Sequence, residues 1–280
     1  MRTFLYYLRS RPTSAVAVAL LGVIVLLSLL APLIAPHDPL DTNLSVQFQP
    51  PSAAYPFGTD ELGRDLFSRV LYGGRSALLT AVGSVAIAAL VGIPLGLIAG
   101  YFGGWADGVT MRVVDVLLAI PAILIALGLI AMFGRGTLNV IVAVGVVNIP
   151  AFARITRAST LAVKEHDFVL ATQAMGAGYG YLLPTTILPN AAGPILVQVA
   201  VTGATAILLA SALSFLGLGI QPPTPDWGSM LSVGRQHLFE APWYGIFPGL
   251  AIALTVFALD ELSKALQDLL GGRTRAELAL

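Results

Sequence analysis

Six stretches of this sequence are apolar over nearly the length needed to cross a lipid bilayer. A hydrocarbon core about 30 Å thick takes roughly 20 helical residues. Charged residues are 11% of the chain and apolar residues 56%, whereas about a quarter of the residues in soluble domains are charged. The sequence therefore predicts an all-α polytopic membrane protein with six transmembrane helices, over residues 15–34, 78–99, 113–133, 138–152, 193–216 and 244–262.

The distribution of lysine and arginine predicts the orientation of these helices. Arg2, Arg9 and Arg11 precede the first apolar run, as in a signal peptide, but the length of that run and the five that follow favour a retained anchor. With the N-terminus inside, ten of the 15 basic residues fall in cytoplasmic segments. This agrees with the positive-inside tendency and predicts that both termini are cytoplasmic.

Three loops are longer than a simple connection between neighbouring helices requires. Two are predicted outside, at residues 35–77 and 217–243, and one inside, at residues 153–192. The first predicts an amphipathic helix on the outer membrane surface, capped by Thr59 or Asp60. Packing of that helix on the protein itself is the alternative. We therefore divide the chain into an anchor helix with outer loop and amphipathic helix (1–75), a core domain (76–270) containing the cytoplasmic loop 153–192, and a tail (271–280). The apolar face of the amphipathic helix comprises Leu62, Leu66, Phe67, Val70 and Leu71.

The sequence lacks the residues that several kinds of nucleotide, metal and catalytic site require. The two lysines, Lys164 and Lys264, do not follow a glycine, so the chain has no phosphate-binding loop of its own. The chain has no cysteine, and its three histidines lie far apart in sequence, which disfavours a metal site. No span contains the nucleophile or zinc motif of an intramembrane hydrolase. Asp115 lies three residues after Arg112, which predicts either a pair between them along one helix or snorkelling of the side chain to the membrane surface.

The cytoplasmic segment between the fourth and fifth spans is predicted to fold and to bind a partner. A basic helix over residues 154–175 should end at Gly176, and a second helix over residues 179–188 should be limited by Pro184 and Pro189. The segment carries more large apolar side chains than a short loop needs for its own packing, which indicates a partner groove. Packing under the chain's own spans is the alternative. The apolar side chains are Leu161, Phe168, Val169, Met175, Tyr179 and Leu182.

This segment resembles the cytoplasmic signature of the membrane subunits of bacterial ABC importers. Gly176, Leu188 and Pro189 match the signature, whereas Leu170 stands where the family has glutamate and Thr172 where it has alanine. The runs "FGTDELGRDLFSRVLYGGR" (57–75), "MRVVDVLLAIP" (111–121), "ILPN" (187–190) and "SFLGLGIQPPTPDWGSML" (214–231) are similar to the second permease subunit of the peptide and nickel branch. The resemblance ends before the run "FALDELSKALQDLLGG" near the C-terminus.

The resemblance implies the type I importer permease fold and a set of partners in the bacterial inner membrane. The implied partners are a second homologous permease, two ABC ATPases, an extracytoplasmic solute-binding protein and membrane lipid. Nucleic acid is not among them. ATP and Mg²⁺ would be bound by the ATPases, and this chain would bind no cofactor and catalyse no reaction. The resemblance implies an ATPase-coupling role for Ala171, Thr172, Met175, Gly176, Ala177, Tyr179, Leu188 and Pro189. It also implies a binding-protein-facing or gating role for Asp60, Arg64, Asp65, Asp226 and Trp227.

The substrate that the resemblance implies is a dipeptide or oligopeptide. Nickel or a metal chelate is the alternative within the same architecture. A secondary carrier or channel acting alone is the alternative of another class, and the near absence of charge within the spans argues against a coupled carrier.

Overall fold

The structure is a computed structural model that describes residues 12–277, with side chains described to residue 270. Within this range the chain is helical apart from its connecting loops. The predicted anchor helix begins at Pro12, so Arg2, Arg9 and Arg11 lie outside the described residues. The helices are α1 (Pro12–Leu29), α2 (Ala31–Ile34), α3 (Leu66–Phe102), α4 (Gly104–Ala119), α5 (Ala122–Phe133), α6 (Thr137–Lys164), α7 (Asp167–Ala174), α8 (Tyr179–Leu182), α9 (Leu188–Phe215), α10 (Trp227–Gly234) and α11 (Trp243–Glu277).

Five helical segments are long and apolar enough to cross a membrane, namely α1, α3, α6, the run from α8 through α9, and α11. The pair α4 and α5 meets the same criteria together, but it is bent by 92° at the break between the two helices. The fourth span is longer than predicted because the basic residues after position 152 continue α6 to Lys164. The tail predicted from residue 271 continues α11 to Glu277.

The third span is not the single straight helix that the sequence predicts. α4 ends at Ala119, and Ile120 has extended backbone angles (φ −98°, ψ 132°). Pro121 follows and is the N-cap of α5. A proline lacks the N–H that would continue α4, and it disfavours helical angles at the residue before it. These two effects place the bend at this position.

The helices α3 and α6 run parallel, which fixes the number of crossings. The Ser84 hydroxyl, midway along α3, donates to the Ile141 carbonyl near the start of α6 (3.2 Å). Near their last ends Lys164 Nζ donates to the Gly100 carbonyl (2.9 Å). Because α6 runs in the same direction as α3 and ends beside its last turn, the bent pair α4–α5 must carry the chain back between them. The protein therefore crosses six times when that pair counts as one span, in agreement with the six predicted spans.

A stripe of small residues brings α3 and α6 together. A side-chain Cβ added at Gly96 would lie 2.5 Å from the Ala153 carbonyl oxygen, and one at Gly100 would lie 2.8 Å from the Arg157 carbonyl oxygen. Small residues at every fourth position allow such close approach between helices in a membrane. The stripe is fully buried and consists of Ser84, Ala88, Gly92, Gly96 and Gly100.

The prediction of a separate amphipathic helix on the outer surface is wrong. The segment before Leu66 is a loop in which the Asp60 carboxylate accepts from the backbone N–H groups of Leu62 and Arg64 (2.9 Å each). Asp65, rather than Thr59 or Asp60, caps the helix, and α3 then continues without interruption through the second span. The local hydrogen bonds of Asp60 close a turn at the place where the apolar pattern predicts helix. The domain boundary at residue 75 accordingly falls inside α3.

The prolines of the cytoplasmic segment do not end its second helix. A π-helical turn (Leu183–Ile187) joins α8 to α9, so that the chain is helical from Tyr179 to Phe215. Pro184 and Pro189 therefore lie inside a continuous helical run, where each lacks the N–H of one helical hydrogen bond. The wider π turn accommodates the first proline within the run.

Candidate functional site

The segment between α6 and α9 begins with a helix and a tight turn. α6 ends at Lys164, and α7 follows after two residues, so the first helix is in two pieces rather than one. Gly176 has a left-handed backbone (φ 84°). Its N–H bonds to the Gln173 carbonyl (2.9 Å), and the Ala177 N–H bonds to the Thr172 carbonyl (3.3 Å). This pattern is a Schellman motif, and the prediction that Gly176 ends a helix is confirmed.

A small apolar core attaches this segment to the spans. Val169 on α7, Leu182 on α8 and Ile187 in the π turn are fully buried and pack against Leu97 on α3. Fully burying side chains of this size contributes about 1.5–3 kcal/mol each. The segment is therefore held in place beneath α3 by three side chains that the sequence pattern did not separate from the exposed ones.

Aromatic and polar contacts hold the turn after α7 at the end of α3. The Gln173 amide donates a hydrogen bond to the Tyr101 hydroxyl. The Tyr179 ring packs edge-on against Tyr101 (5.6 Å between ring centroids) and Phe102 (5.2 Å). Since Phe102 is the last residue of α3, these contacts join the turn after α7 to the end of that helix.

The residues predicted to couple to an ATPase lie mostly on the outside of this segment. Met175 is 80% exposed and Tyr179 58%. Ala171, Gly176 and Pro189 are exposed, whereas Thr172, Ala177 and Leu188 are partly buried. Three further large side chains are also exposed here, namely Phe168, Leu170 and Tyr181.

This outer face carries no formal charge. From residue 168 to residue 225 the sequence has no Asp, Glu, Lys, Arg or His. An uncharged surface of exposed large apolar side chains at the cytoplasmic end of a membrane protein is typical of a surface that another protein covers. We call the exposed face of Phe168, Leu170, Met175, Tyr179 and Tyr181 the cytoplasmic apolar face.

At the opposite end, a buried group of charges ties the outer loop to α3. Asp60 is fully buried and accepts from Arg64 Nε (2.6 Å), with Arg69 Nε 3.3 Å from the same carboxylate. Arg69 also donates to the Pro39 carbonyl (2.9 Å). Glu61 accepts from Arg64 Nη2 (2.8 Å) and from the Tyr244 hydroxyl on α11. The network thus links the loop before α3 with both α3 and α11.

Two aspartates cap helices at this end. The Asp65 carboxylate accepts from the N–H groups of Phe67 and Ser68 at the start of α3. Asp226 accepts from the Ser229 N–H (2.8 Å) at the start of α10. Beside it the Trp227 indole N–H donates to the Val70 carbonyl (2.8 Å). All five side chains predicted to face a binding protein or to act in gating are buried, at 6% exposure or less, so in this conformation they hold the outer loops together. They are Asp60, Arg64, Asp65, Asp226 and Trp227.

Burial raises the pKa of the Asp226 carboxyl above its usual value, while hydrogen bonds from Ser229, Ser214 and Gly228 oppose the rise. A carboxyl whose pKa is raised in the folded protein stabilises the fold most below its unfolded pKa. That contribution is lost as the pH rises through the folded pKa. At neutral pH the charge therefore costs stability, whereas the cap itself contributes to it.

Replacing Asp226 by asparagine is expected to preserve or raise the thermal unfolding midpoint in detergent at neutral pH. Asparagine caps helices as well as aspartate does and brings no charge to desolvate. Alanine at this position should lower stability by about 1 kcal/mol because the cap is lost. Equal midpoints for the alanine and asparagine variants would show that the cap contributes nothing.

The pairing predicted between Arg112 and Asp115 does not form, because Asp115 pairs with Arg154 across the gap between α4 and α6 (2.5 Å). Arg157 likewise makes a two-pronged contact with Asp107. The bidentate geometry strengthens the Arg157–Asp107 pair, whereas Arg154 and Asp115 share a single contact between half-exposed side chains. These two bridges connect α4 to α6 and border a cavity of about 480 Å³. The sequence could not reveal them because the paired residues are 39 and 50 positions apart.

The three histidines lie in separate places, as their sequence positions indicate. His37 Nδ1 is 3.5 Å from Asp65, His166 contacts the Ala162 carbonyl, and His237 lies near Glu240. Within residues 12–270 no group of three or more acidic or histidine side chains is placed to hold a metal ion.

Comparison with known protein families gives two matches. Residues 92–276, about two thirds of the chain, match the family described as binding-protein-dependent transport system inner membrane component. Residues 1–51 match the N-terminal transmembrane domain of oligopeptide transport permease C. The first match contains the whole segment between α6 and α9.

Individual relatives align over most of their length. The chain is 39% identical to the dipeptide transport system permease protein DppC of Alkalihalophilus pseudofirmus, over 96% of this chain and 88% of the relative. It is 42% identical to a di/tripeptide permease of Pseudomonas aeruginosa (88% and 84%). It is 44% identical to the glutathione permease GsiD of Pectobacterium atrosepticum (81% and 75%). Among solved structures, an inward-facing MetNI methionine ABC transporter aligns with a TM-score of 0.56 and 19% identity, over 72% of this chain and 97% of that one.

Proposed function

The chain belongs to the family of inner membrane components of binding-protein-dependent transport systems, and we propose that the solute it transports is a dipeptide or oligopeptide. It has the type I importer permease fold and is a non-enzymatic permease subunit of a bacterial ABC importer in the inner membrane. One observation carries the peptide proposal: the relatives that align over most of the chain are named for dipeptides, di- and tripeptides, and glutathione.

The cytoplasmic apolar face is proposed to receive the movement of two partner ATPases, which bind ATP and Mg²⁺. Two properties of the segment support this role. Its outer side exposes Leu170, Met175 and Tyr181, and its inner side is fixed to α3 through Gln173 and Tyr179. A helix pressed by a partner on one side and bonded to a span on the other passes a rigid-body movement on to that span.

The second homologous permease is proposed to cover α4 and α5. Only Val114 of α4 is buried within this chain, while Trp105 is 83% exposed and Val116 58%. The two ion pairs to α6 hold α4 in place without covering its apolar side. α4, with so little packing against its own chain, leaves an apolar side that another helix surface can cover.

The solute-binding protein is proposed to dock on the outer surface that the buried charges support. Asp60, Arg64, Asp65, Asp226 and Trp227 would act by fixing the two outer loops rather than by contact. The surface between those loops has a depression of about 400 Å³ that includes Asp38, Leu40, Tyr72, Pro223 and Thr224. It is mixed in polarity and lies outside the spans, as a docking surface for a water-soluble partner requires.

The experiment that tests the proposed function is reconstitution of this subunit in proteoliposomes with a companion permease, two ATPases and a solute-binding protein of the same transport system. We expect uptake of a labelled dipeptide that requires ATP and all four partners. Uptake of nickel or a nickel chelate without competition by peptides would replace the peptide assignment within the same architecture. Uptake by this chain alone, without the ATPases, would overturn the importer assignment itself.

A further inference from the structure

A narrow apolar crevice lies between α1, α3 and α11 near their outer ends. Its volume is about 340 Å³, at the lower end of the range for small-molecule sites. Ile24 and Ser28 of α1 form one wall, and Leu250 and Leu254 of α11 form the other. The indole of Trp227, only 3% exposed, forms part of the lining.

The polar atoms of the crevice already have partners. The Ser28 hydroxyl donates to the Ile24 carbonyl (2.7 Å), and the Trp227 indole N–H donates to the Val70 carbonyl (2.8 Å). None of the lining residues is charged. A peptide, an ion or ordered water would therefore find no free side-chain donor here and only the Ser28 hydroxyl as a side-chain acceptor, so an apolar, uncharged occupant has the lowest desolvation cost.

The crevice is continuous with a surface that faces lipid. Leu26 and Leu27 of α1 and Leu250 and Leu254 of α11 are all exposed, and both helices are membrane spans. Along α11 the lining extends from Phe247 to Leu254, which is about 10 Å at 1.5 Å per residue. That length lies within one leaflet of a hydrocarbon core about 30 Å thick.

The outer end of the crevice is marked by Phe57. This residue belongs to the outer loop, and its ring stacks on Phe247 of α11 (3.9 Å between centroids). The crevice therefore starts at the outer membrane surface and runs inward. An α-helix with side chains is about 10–12 Å across, too wide for a cavity of this volume, whereas an extended hydrocarbon chain is not.

We propose that an acyl chain of an outer-leaflet phospholipid occupies this crevice and forms part of the contact between α1 and the rest of the fold. The acyl chain enters beside Phe57 and lies against Trp227 between α1 and α11. Filling the crevice gives its apolar lining the contacts that an empty cavity lacks. The inference does not depend on which solute the permease transports.

Quenching of Trp227 fluorescence by brominated lipid tests the proposal. The full chain with Trp105→Phe and Trp243→Phe leaves Trp227 as its one tryptophan and is placed in detergent-free nanodiscs of phosphatidylcholine with or without brominated acyl chains. We expect strong quenching of this buried indole in the brominated nanodiscs. Absence of quenching would overturn the proposal, because a tail in the crevice must touch the ring.

A filled crevice provides the matched control. Ala251 lines the crevice, and Ala251→Phe should displace the acyl chain and abolish most of the quenching of Trp227. A second protein that keeps only Trp105, which is 83% exposed on α4, should be quenched equally with and without Ala251→Phe. Unchanged quenching of Trp227 after Ala251→Phe would contradict the proposal. Loss of the Trp227 quenching on assembly with the companion permease would show that a protein surface, rather than lipid, fills the crevice. That result would also overturn the proposal.

Discussion

Replacement of Gly96 by leucine is expected to abolish transport and to lower the thermal unfolding midpoint of the purified subunit more than Asp226→Ala or Gly176→Val does. The added Cβ would lie 2.5 Å from the Ala153 carbonyl oxygen and 2.6 Å from Thr156 Cβ. Inserting atoms into a packed core typically costs about 1–3 kcal/mol. At Gly96 the opposing atom is backbone, so α3 and α6 must separate and the cost should reach the upper end of that range.

Gly22→Leu is the matched control for this change. Gly22 also lies within a span, but a Cβ there would meet nothing within 4 Å. The control should insert, unfold and transport like the unmodified subunit. If Gly96→Leu unfolds at the same temperature as Gly22→Leu, the close contact between α3 and α6 is not what holds these helices together.

The spans were predictable from sequence because the bilayer imposes a length and a composition on each helix separately. The bend at Pro121 was less visible, since prolines are tolerated within many membrane helices. Its outcome depends on how Ile120 and the next helix pack, which no local pattern records. The stripe of small residues was visible in the sequence as small residues at every fourth position from Ser84 to Gly100. Only the structure shows that α6 is the helix that packs against it.

The outer loop shows where local reasoning about capping reaches its limit. Asp60 and Asp65 both precede an apolar helical pattern, and either one could cap a helix. Asp60 instead lies within 3.3 Å of Arg64 and Arg69, and Asp65 caps α3. Which aspartate caps α3 is decided by tertiary contacts, because the network around Asp60 includes the hydrogen bonds from Arg69 to Pro39 and from Tyr244 to Glu61.

In the cytoplasmic segment, backbone features were predictable and side-chain burial was not. Gly176 ends α7 because its left-handed conformation is a local property of the chain. Val169 and Met175 look alike in an apolar pattern, yet Val169 is fully buried and Met175 is 80% exposed. The difference arises from the end of α3, which lies next to one side of the segment only.

Gly176→Val is expected to uncouple ATP hydrolysis from uptake in the assembled importer while membrane insertion stays intact. The Gly176 backbone has φ 84°, a conformation that costs a non-glycine residue roughly 1–2 kcal/mol and a β-branched residue more. Relaxation of this strain breaks the Schellman bonds at Gln173 and Thr172. The turn would then lose its hydrogen bond from Gln173 to Tyr101, and ATPase movement would no longer reach α3. The measurement is ATPase activity and peptide uptake in the same proteoliposomes.

Gly176→Asn separates backbone strain from the presence of a side chain. A Cβ at this position meets nothing within 4 Å in this chain, so valine and asparagine are equally free of clashes with it. Asparagine adopts the left-handed conformation far more readily than valine does, and it should keep most of the uptake. If both variants lose uptake equally, the face around Gly176 is covered by a partner that tolerates no side chain there, and the strain of the turn is not the cause. If Gly176→Val transports normally, the turn at Gly176 has no part in coupling.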